Sequence, residues 1–247
     1  MTSSPTDHVL PLAGLLNLRE LGGYPTVSGG QTLTHRLLRS DDLGRMAPDG
    51  RPFLLDYGLR TVVDLRDPEE LQALPDPFAE SDQVRYCWLP FFDDSGRRMG
   101  PPDLTQSKGQ RYLRWFEVYP ANVAAIFRTL AGIKDGVTLF HCVAGKDRTG
   151  LVAAMMLSLS GVADPLIDAD YAVSFELLKP WTDQLRADAE RKGEDMASFE
   201  RRAQTFPETM QEVLDGFRSK YGGIAAYLRQ VGLTDAEIAA LETRLLE

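Results

Sequence analysis

Apolar residues follow two different spacings along the chain. Residues 61–66, 84–89 and 137–140 form short, largely apolar runs that are typical of buried strands. Residues 108–130 instead carry apolar side chains at helical spacing, interrupted at Pro120, and predict two helices or one kinked helix. Because strands alternate with helices, the pattern predicts an α/β fold with a central, mostly parallel sheet flanked by helices.

The second half of the chain predicts helices only. Residues 149–159 are apolar on most faces, which favours a buried helix. From Asp164 onward the pattern stays helical, and the highly charged residues 186–202 predict a lid-like helical segment. Thr234 and Glu237 have the spacing of a capping box and mark the start of the last helix.

The composition limits the classes of function. The chain has 247 residues, enough for one α/β domain over residues 1–247, and its formal net charge of −9 disfavours binding to nucleic acid. A locally positive pocket can still hold an anionic substrate, because a few N–H groups and one Arg suffice. The two cysteines, Cys87 and Cys142, are too few for a disulfide scaffold and lack the spacing of a metal site. We therefore expect neither a metal nor another cofactor.

No segment of the sequence predicts targeting or membrane insertion. Residues 1–10 lack the basic and apolar regions of a signal peptide, and the apolar stretch 151–162 is too short to span a bilayer. We therefore expect a cytoplasmic protein with no membrane span. Export by a route without a signal peptide stays compatible with the sequence.

The sequence HCVAGKDRTG at residues 141–150 carries the candidate chemistry. It lies between a predicted buried strand and a predicted buried helix, and ligands of open α/β sheets bind at the carboxyl ends of strands. The N-terminus of a helix offers unpaired N–H groups and attracts anions. A loop that curls into this helix is therefore expected to bind one phosphate group. The predicted phosphate-binding residues are Val143, Ala144, Gly145, Lys146, Asp147 and Arg148.

Five residues of this segment have individual roles in the prediction. The helix dipole and nearby cations favour the thiolate form of Cys142, which makes it the candidate nucleophile. The planar fork of Arg148 matches two phosphate oxygens, and Gly145 permits backbone angles and a close approach that a side chain would block. The hydroxyl of Thr149 is expected to stabilise the thiolate as it leaves phosphorus. His141 is expected to hydrogen-bond the backbone and to tune Cys142.

Two other interpretations of the loop fit the sequence less well. An isolated cysteine is usually a small buried apolar residue, but a dry core does not accommodate Lys146, Asp147 and Arg148 in succession. A nucleotide-binding P-loop requires Gly five residues before the Gly-Lys pair and Ser or Thr after the Lys. Phe140 and Asp147 hold those positions, so the sequence disfavours hydrolysis of ATP or GTP.

The loop resembles the signature of the protein tyrosine phosphatase superfamily. The full HCVAGKDRTG resembles its bacterial branch, which includes the mycobacterial protein tyrosine phosphatase B. The resemblance implies a tyrosine-phosphatase-like fold, phosphomonoester hydrolysis without a metal, and a helical lid at about residues 171–215. Other motifs share the resemblance in the same order: NLRELGGY at 17–24, residues 35–41, TVVDLR at 61–66, and DADY at 168–171.

The resemblance narrows the substrate class without naming one substrate. Family substrates include phosphotyrosine and, for some members, phosphoserine, phosphothreonine or phosphoinositides. It therefore implies a protein-tyrosine phosphatase, with or without dual specificity, that forms a phospho-cysteine intermediate. A phosphatase that acts on phosphoinositides or other small phosphomonoesters is the alternative. Lys146 matches the pattern associated with lipid phosphates. A module that binds phosphorylated ligands without turnover is a third interpretation, against which the intact Cys142 and Arg148 argue.

The sequence offers three candidates for the general acid that protonates the leaving group. Asp64 ends a core strand, matches the aspartate of the family's DLR motif, and is expected first. Asp147 lies in the loop itself, and Asp93 follows a segment that loosely resembles the mobile WPD loop of larger tyrosine phosphatases. Each also has a structural interpretation: a strand-end cap for Asp64, an ion pair for Asp147 and an exposed turn for Asp93.

Overall fold

The computed structural model describes residues 4–93 and 105–247, and a five-stranded sheet forms its centre. The strand order is β1-β2-β5-β3-β4, with β1 antiparallel to β2 and the other neighbouring pairs parallel. The predicted α/β fold with a mostly parallel sheet is confirmed. The strands are β1 (Arg19–Glu20), β2 (Leu37–Ser40), β3 (Leu59–Asp64), β4 (Arg85–Trp88) and β5 (Val137–His141).

Helices flank this sheet, and the described residues after Asp164 fold into helices as predicted. The helices before β5 are α1 (Gly50–Asp56), α2 (Pro68–Ala73), α3 (Lys108–Val118) and α4 (Pro120–Gly132). Those after β5 are α5 (Asp147–Leu159), α6 (Asp164–Ala172), α7 (Ser174–Leu177), α8 (Lys179–Lys192), α9 (Met196–Ala203), α10 (Pro207–Tyr221), α11 (Ile224–Gln230) and α12 (Asp235–Thr243). Within the described ranges, none of these helices is both long and apolar enough to cross a membrane.

Local sequence signals account for several helix boundaries. Pro120 occupies the first turn of α4, where its missing N–H is not needed, so the predicted helical segment divides into α3 and α4. The predicted capping box at the start of α12 is also present. The hydroxyl of Thr234 accepts from the N–H of Glu237 at 3.2 Å, and the N–H of Thr234 donates to Glu237 Oε2 at 2.7 Å.

Two apolar cores lie on opposite faces of the sheet. Successive residues of a strand point to opposite faces, so Val62 joins the smaller core and Val63 joins the larger one. Leu139 and Phe140 of β5 divide in the same way. The larger core includes α5, in which every residue from 148 to 157 is buried, as its apolar pattern predicts.

The carboxyl ends of β2, β3 and β5 meet at one edge of the sheet. In the strand register Ser40 and Asp64 each pair with His141, the last residue of β5. The chain segments that leave these strands therefore begin side by side, which brings Arg66 and Cys142 into one region.

Candidate active site

The segment from Cys142 to Lys146 connects β5 directly to the first turn of α5. Gly145 within it has a φ of +62°, a backbone conformation that residues with a side chain rarely adopt. A Cβ atom at this position would lie 2.3 Å from the carbonyl oxygen of Ser40. The loop is therefore packed against the end of β2 so closely that only glycine fits.

Cys142 lies at the start of the loop and is 2% exposed. The preceding His141 places its Nδ1 3.1 Å from the carbonyl oxygen of Cys142 and its Nε2 3.1 Å from Asp76 Oδ2. Burial alone would lower the pKa of His141, but the hydrogen bond to Asp76 and the charges of Asp64 and Asp76 raise it overall. The imidazole ring of His141 thus links Asp76 to the backbone carbonyl of Cys142.

Arg148 is fixed by a carboxylate that the sequence analysis did not identify. Its Nη1 and Nη2 donate to Glu70 Oε2 and Oε1 at 2.6 and 2.7 Å, and its guanidinium lies 5.2 Å from the ring centroid of Phe92. Burial would lower the pKa of Arg148, but interactions with Cys142 and Glu70 raise it overall. Arg148 Nη1 also donates to the carbonyl oxygen of Leu65 at 3.4 Å, and the N–H of Leu65 donates to the carbonyl oxygen of His141 at 2.9 Å, so the guanidinium lies close to the start of the loop.

Glu70 itself belongs to the first turn of α2. Its carboxylate accepts from the N–H of Asp67 at 2.9 Å, and Asp67 accepts from the N–H of Glu70 at 2.9 Å, which forms a capping box. Burial would raise the pKa of Glu70, but Arg148 lowers it overall. The capping pattern locates the start of this helix from sequence, whereas its contact with a guanidinium 78 residues away needs the fold.

Asp147 begins α5 and lies among three donors. Lys108 Nζ and Lys146 Nζ are 3.3 and 3.7 Å from its carboxylate oxygens, and the hydroxyl of Tyr112 also donates to it. Burial would raise the pKa of Asp147, but the two ammonium groups lower it far below its usual range. The side chain remains 30% exposed, so solvent and ligands can reach it.

Asp64 has a different environment. Its side chain is fully buried, and its two oxygens accept from Arg66 at 2.6–3.1 Å and from the hydroxyl of Tyr86 at 2.7 Å. Burial would raise the pKa of Asp64, but the charges of His141 and Arg66 lower it overall. The carboxylate is therefore occupied by protein donors within the structure.

Asp93 and Thr149 are the two remaining residues that the sequence predicted. Asp93 is exposed, and the turn expected at residues 93–96 falls mostly outside the described residues. Together with Trp88 and Phe92 it lines a cavity of about 400 Å³. The hydroxyl of Thr149 is fully buried and has no hydrogen-bond partner within residues 4–93 and 105–247.

One group of side chains has a spacing that would suit a metal ion. Asp64, Asp76 and His141 offer ligand atoms within 4.8 Å of one another, and no other such group occurs in the described part of the chain. The guanidinium of Arg66 already lies 2.6 Å from Asp64 and 4.0 Å from Asp76. A second cation would have to share these carboxylates with a buried guanidinium, so the donor set does not fit a metal site.

Helices α8 and α9 pack beside the loop. Lys146 Nζ donates to the carbonyl oxygens of Arg202 and Ala203 at 2.8 and 3.2 Å, and Lys108 Nζ donates to that of Gln204 at 2.7 Å. Two lysines thus bind the carboxyl end of α9, where a helix has unpaired carbonyl groups. Between the loop and the two helices lies a cavity of about 340 Å³, whose lining includes Ala144, Lys146, Leu178, Trp181, Phe199 and Arg202.

Comparisons with known proteins found similar sequences over most of the chain. A family model described as "Tyrosine phosphatase family" matches residues 10–247. A tyrosine-protein phosphatase of Nostoc commune is 32% identical in an alignment that covers 84% of this chain and 73% of the relative. The triple specificity protein phosphatase PtpB of Mycobacterium tuberculosis is 27% identical in an alignment that covers 96% of this chain and 99% of the relative.

One solved structure was also similar, at a low level. The crystal structure of P. aeruginosa TpbA aligns with 88% of this chain and 90% of its own, with 17% identity and a TM-score of 0.32. This similarity is too low to bear on the fold.

Proposed function

Because the chain belongs to the tyrosine phosphatase family and is a phosphatase, we propose that it hydrolyses phosphomonoesters through a phospho-cysteine intermediate on Cys142. The family resemblance inferred from the loop is thereby confirmed. One observation carries the proposal of mechanism: Cys142 begins a tight loop that opens a buried helix, and the guanidinium of Arg148, in the first turn of that helix, lies close to the start of the loop. That arrangement is suited to an oxyanion with a nucleophile beneath it.

In the first step the Cys142 thiolate attacks phosphorus in line, an S–P bond forms, and the P–O bond to the leaving group breaks. The N–H groups of the loop, the N-terminus of α5 and the Arg148 guanidinium bind the three non-bridging oxygens. In the second step water attacks phosphorus, the S–P bond breaks, and inorganic phosphate and the thiolate are released. Preorganised donors that match the charge of the transition state supply the largest part of the rate.

Glu70 holds Arg148 in the orientation that this step needs. A guanidinium has five N–H donors, and two of those of Arg148 bind Glu70. The ring of Phe92 covers one face of the same guanidinium. Arg148 Nη1 also donates to the carbonyl oxygen of Leu65 at 3.4 Å, so two of its five N–H donors stay available for phosphate and the side chain has little freedom to turn.

Asp147 is a better candidate than Asp64 for the general acid. Asp64 is fully buried and bonded to Arg66 and Tyr86, which supports its structural interpretation as the end of β3. Asp147 is partly exposed beside the loop. A bound phosphate dianion adds negative charge beside Asp147 and so counteracts the two ammonium groups that lower its pKa, which favours a proton on this carboxyl group for the leaving group. Once the leaving group departs, the ionised carboxylate is suited to activate water as a base.

Helices α8 and α9 form the core of the proposed lid within residues 171–215. The end of α9 accepts hydrogen bonds from Lys108 and Lys146. Trp181 of α8 contacts Arg45, whose guanidinium lies 4.0 Å from the centre of the indole ring. These contacts with Lys108, Lys146 and Arg45 support a lid beside the loop. A lid of this kind would exclude water during formation of the phospho-cysteine.

The substrate that we propose first is a phosphotyrosyl protein. The aromatic ring of Phe92 lies against Arg148 and provides an apolar wall for a phenyl ring. A phosphoinositide or another small phosphomonoester is the second candidate, because Lys146, Lys192 and Arg202 line the cavity beside the loop and offer cations for additional phosphates.

Hydrolysis of p-nitrophenyl phosphate tests the mechanism directly. We expect turnover that EDTA does not change and that Cys142→Ser reduces to background. Cys87→Ser is the matched control, because it changes the other free cysteine and should retain activity. Activity that survives in Cys142→Ser would refute the phospho-cysteine mechanism. A panel of phosphotyrosyl peptides and phosphoinositides then separates the two substrate candidates.

A further inference from the structure

Two carbonyl groups in the middle of the loop accept hydrogen bonds from buried side chains beneath it. Asn17 Nδ2 donates to the carbonyl oxygens of Ala144 and Gly145 at 2.9 and 3.0 Å. Arg39 Nη2 donates to that of Gly145 at 2.7 Å. Both donors are fully buried and lie more than 100 positions from the loop in sequence.

The carbonyl of the preceding residue is held from the same side, because the N–H of Asp42 donates to Val143 O at 3.0 Å. In a trans peptide unit the carbonyl and the N–H point in opposite directions. Three carbonyls that are bound by the protein beneath therefore turn the next three N–H groups to the other side of the loop. These are the N–H groups of Ala144, Gly145 and Lys146, which the proposed function assigns to the phosphate.

Asn17 and Arg39 are in turn held by a buried network. Asp170 of α6 binds Arg39 Nη1 through one carboxylate oxygen and Arg19 Nε through the other, at 2.8 Å for Arg19. Arg19 Nη1 donates to both the carbonyl and the side-chain oxygen of Asn17. The N–H of Asn17 donates to Asp41 at 3.0 Å. Since these five side chains are at most 1% exposed, water cannot substitute for the missing partner if one is removed.

From these contacts we infer that Asn17 and Arg39 are positioning residues of the phosphatase: they hold the loop carbonyls away from the site and thereby aim the loop N–H groups at the phosphate. The inference rests on the proposed function of the loop. It also gives a shared physical role to the three segments at 17–24, 35–41 and 168–171, whose residues meet in the network beneath the loop.

The test compares Asn17→Ala with a matched control, Ser174→Ala. Ser174 is fully buried and its hydroxyl accepts from Arg19 Nη2 at 3.1 Å. This control removes a hydrogen bond that does not touch the loop, and Arg19 Nη2 keeps its bond to the carbonyl oxygen of Asp170 at 2.8 Å. The two readouts are kcat with p-nitrophenyl phosphate and the dissociation constant of tungstate, a tetrahedral oxyanion, from calorimetry. We expect Asn17→Ala to weaken tungstate binding and to lower kcat by about tenfold to a hundredfold, less than the loss of an oxyanion donor itself. Ser174→Ala should stay within about twofold for both, as a change remote from the reacting groups.

Tungstate binding separates positioning from simple destabilisation. A variant that is only less stable has fewer active molecules, but those that are folded bind the anion with the parent's dissociation constant. Parent-like tungstate binding by Asn17→Ala, with or without a loss of kcat, would overturn the inference. If Asn17→Ala does not fold, Arg39→Lys replaces it, since a Lys keeps the charge but cannot bind both Asp170 and Gly145 through a planar fork.

The same measurements separate this inference from the proposed function. If the parent does not hydrolyse p-nitrophenyl phosphate, the proposed mechanism fails, and tungstate binding still reports whether Asn17 organises the loop. If the parent is active and Asn17→Ala binds tungstate normally, the mechanism stands and the positioning role is rejected.

Discussion

Asp64 and Asp147 stand at two neighbouring places at the same edge of the sheet, and both carboxyl groups have lowered pKa values for different reasons. At the end of β3 the guanidinium of Arg66 and the hydroxyl of Tyr86 enclose Asp64 completely. At the start of α5 the ammonium groups of Lys108 and Lys146 lie beside Asp147 and leave part of it exposed. A carboxylate can therefore be strongly stabilised in its charged form and still be open to a substrate, which decides its role.

The largest effect that separates the two regions is expected from Asp147→Asn. Without the acid, the rate for phenyl phosphate should fall by about 10²- to 10⁴-fold. The loss should be smaller for p-nitrophenyl phosphate, because p-nitrophenolate leaves without needing a proton. Steady-state kinetics with both substrates measure this difference, and equal losses on the two would argue against Asp147 as the acid.

Asp64→Asn should act on stability instead. Breaking a buried ion pair leaves the guanidinium of Arg66 without its main partner and should lower the free energy of unfolding by about 3–5 kcal/mol. The folded pKa of Asp64 is lowered, so its stabilising contribution is present above the unfolded pKa and is lost as the pH falls through the folded pKa. Denaturant unfolding at neutral and acidic pH measures both effects, and the parent and the variant should converge in acid.

The outcome that would reverse the comparison is also specific. Asp64→Asn would have to retain the parent's stability and lose activity in proportion to the basicity of the leaving group. Asp64 would then be the acid, as the sequence motif alone suggested.

Asp168 is a third carboxyl group with a shifted pKa and differs from Asp64 and Asp147, because burial and acidic side chains raise its pKa whereas cations lower theirs. Burial and the charges of Asp164 and Asp215 raise its pKa from 3.8 to about 6. A raised folded pKa gives stability that is present below the unfolded pKa and lost as the pH rises through about 6. Asp168→Asn should therefore stabilise the protein by about 1–3 kcal/mol at pH 8 and very little at pH 3. Thermal unfolding across this range is the measurement, and a stabilisation that is equal at both values would contradict the assignment.

The smallest effect is expected from Glu70→Gln. An amide can keep one hydrogen bond to Arg148 but not the charged two-bond contact, so kcat/KM should fall by about tenfold. Glu69→Gln on the same turn of α2 makes the same charge change and is the control. If both variants lose activity equally, the effect comes from the charge of α2 and not from the orientation of Arg148.

Sequence reasoning reached the parts of the structure that depend on local chemistry. The runs at 61–66 and 137–140 became β3 and β5, Pro120 separated two helices, and the glycine of the loop has the backbone angle that its residue type implies. These features follow from periodicity, from the missing N–H of proline and from the missing Cβ of glycine.

The same reasoning could not identify the residues that contact the site residues. Glu70 and Asn17 meet the loop only because the sheet brings distant segments together, and nothing in their own neighbourhoods indicates it. β1 has only two residues, too few to show the alternating pattern of a strand. Asp64 was expected first as the acid because of its motif. Its enclosure by Arg66 and Tyr86 could not be predicted from sequence, because it depends on how β3 and β4 pair.

Trp181 is placed to act as an intrinsic fluorescent probe. The indole ring stacks on the guanidinium of Arg45 and also borders the cavity next to Ala144 and Lys146. Indole emission responds to the charge and polarity around the ring, so a ligand that binds in this cavity should change the tryptophan fluorescence of the unlabelled protein. The arrival of a phosphorylated compound could then be followed in real time, without turnover and without any added dye.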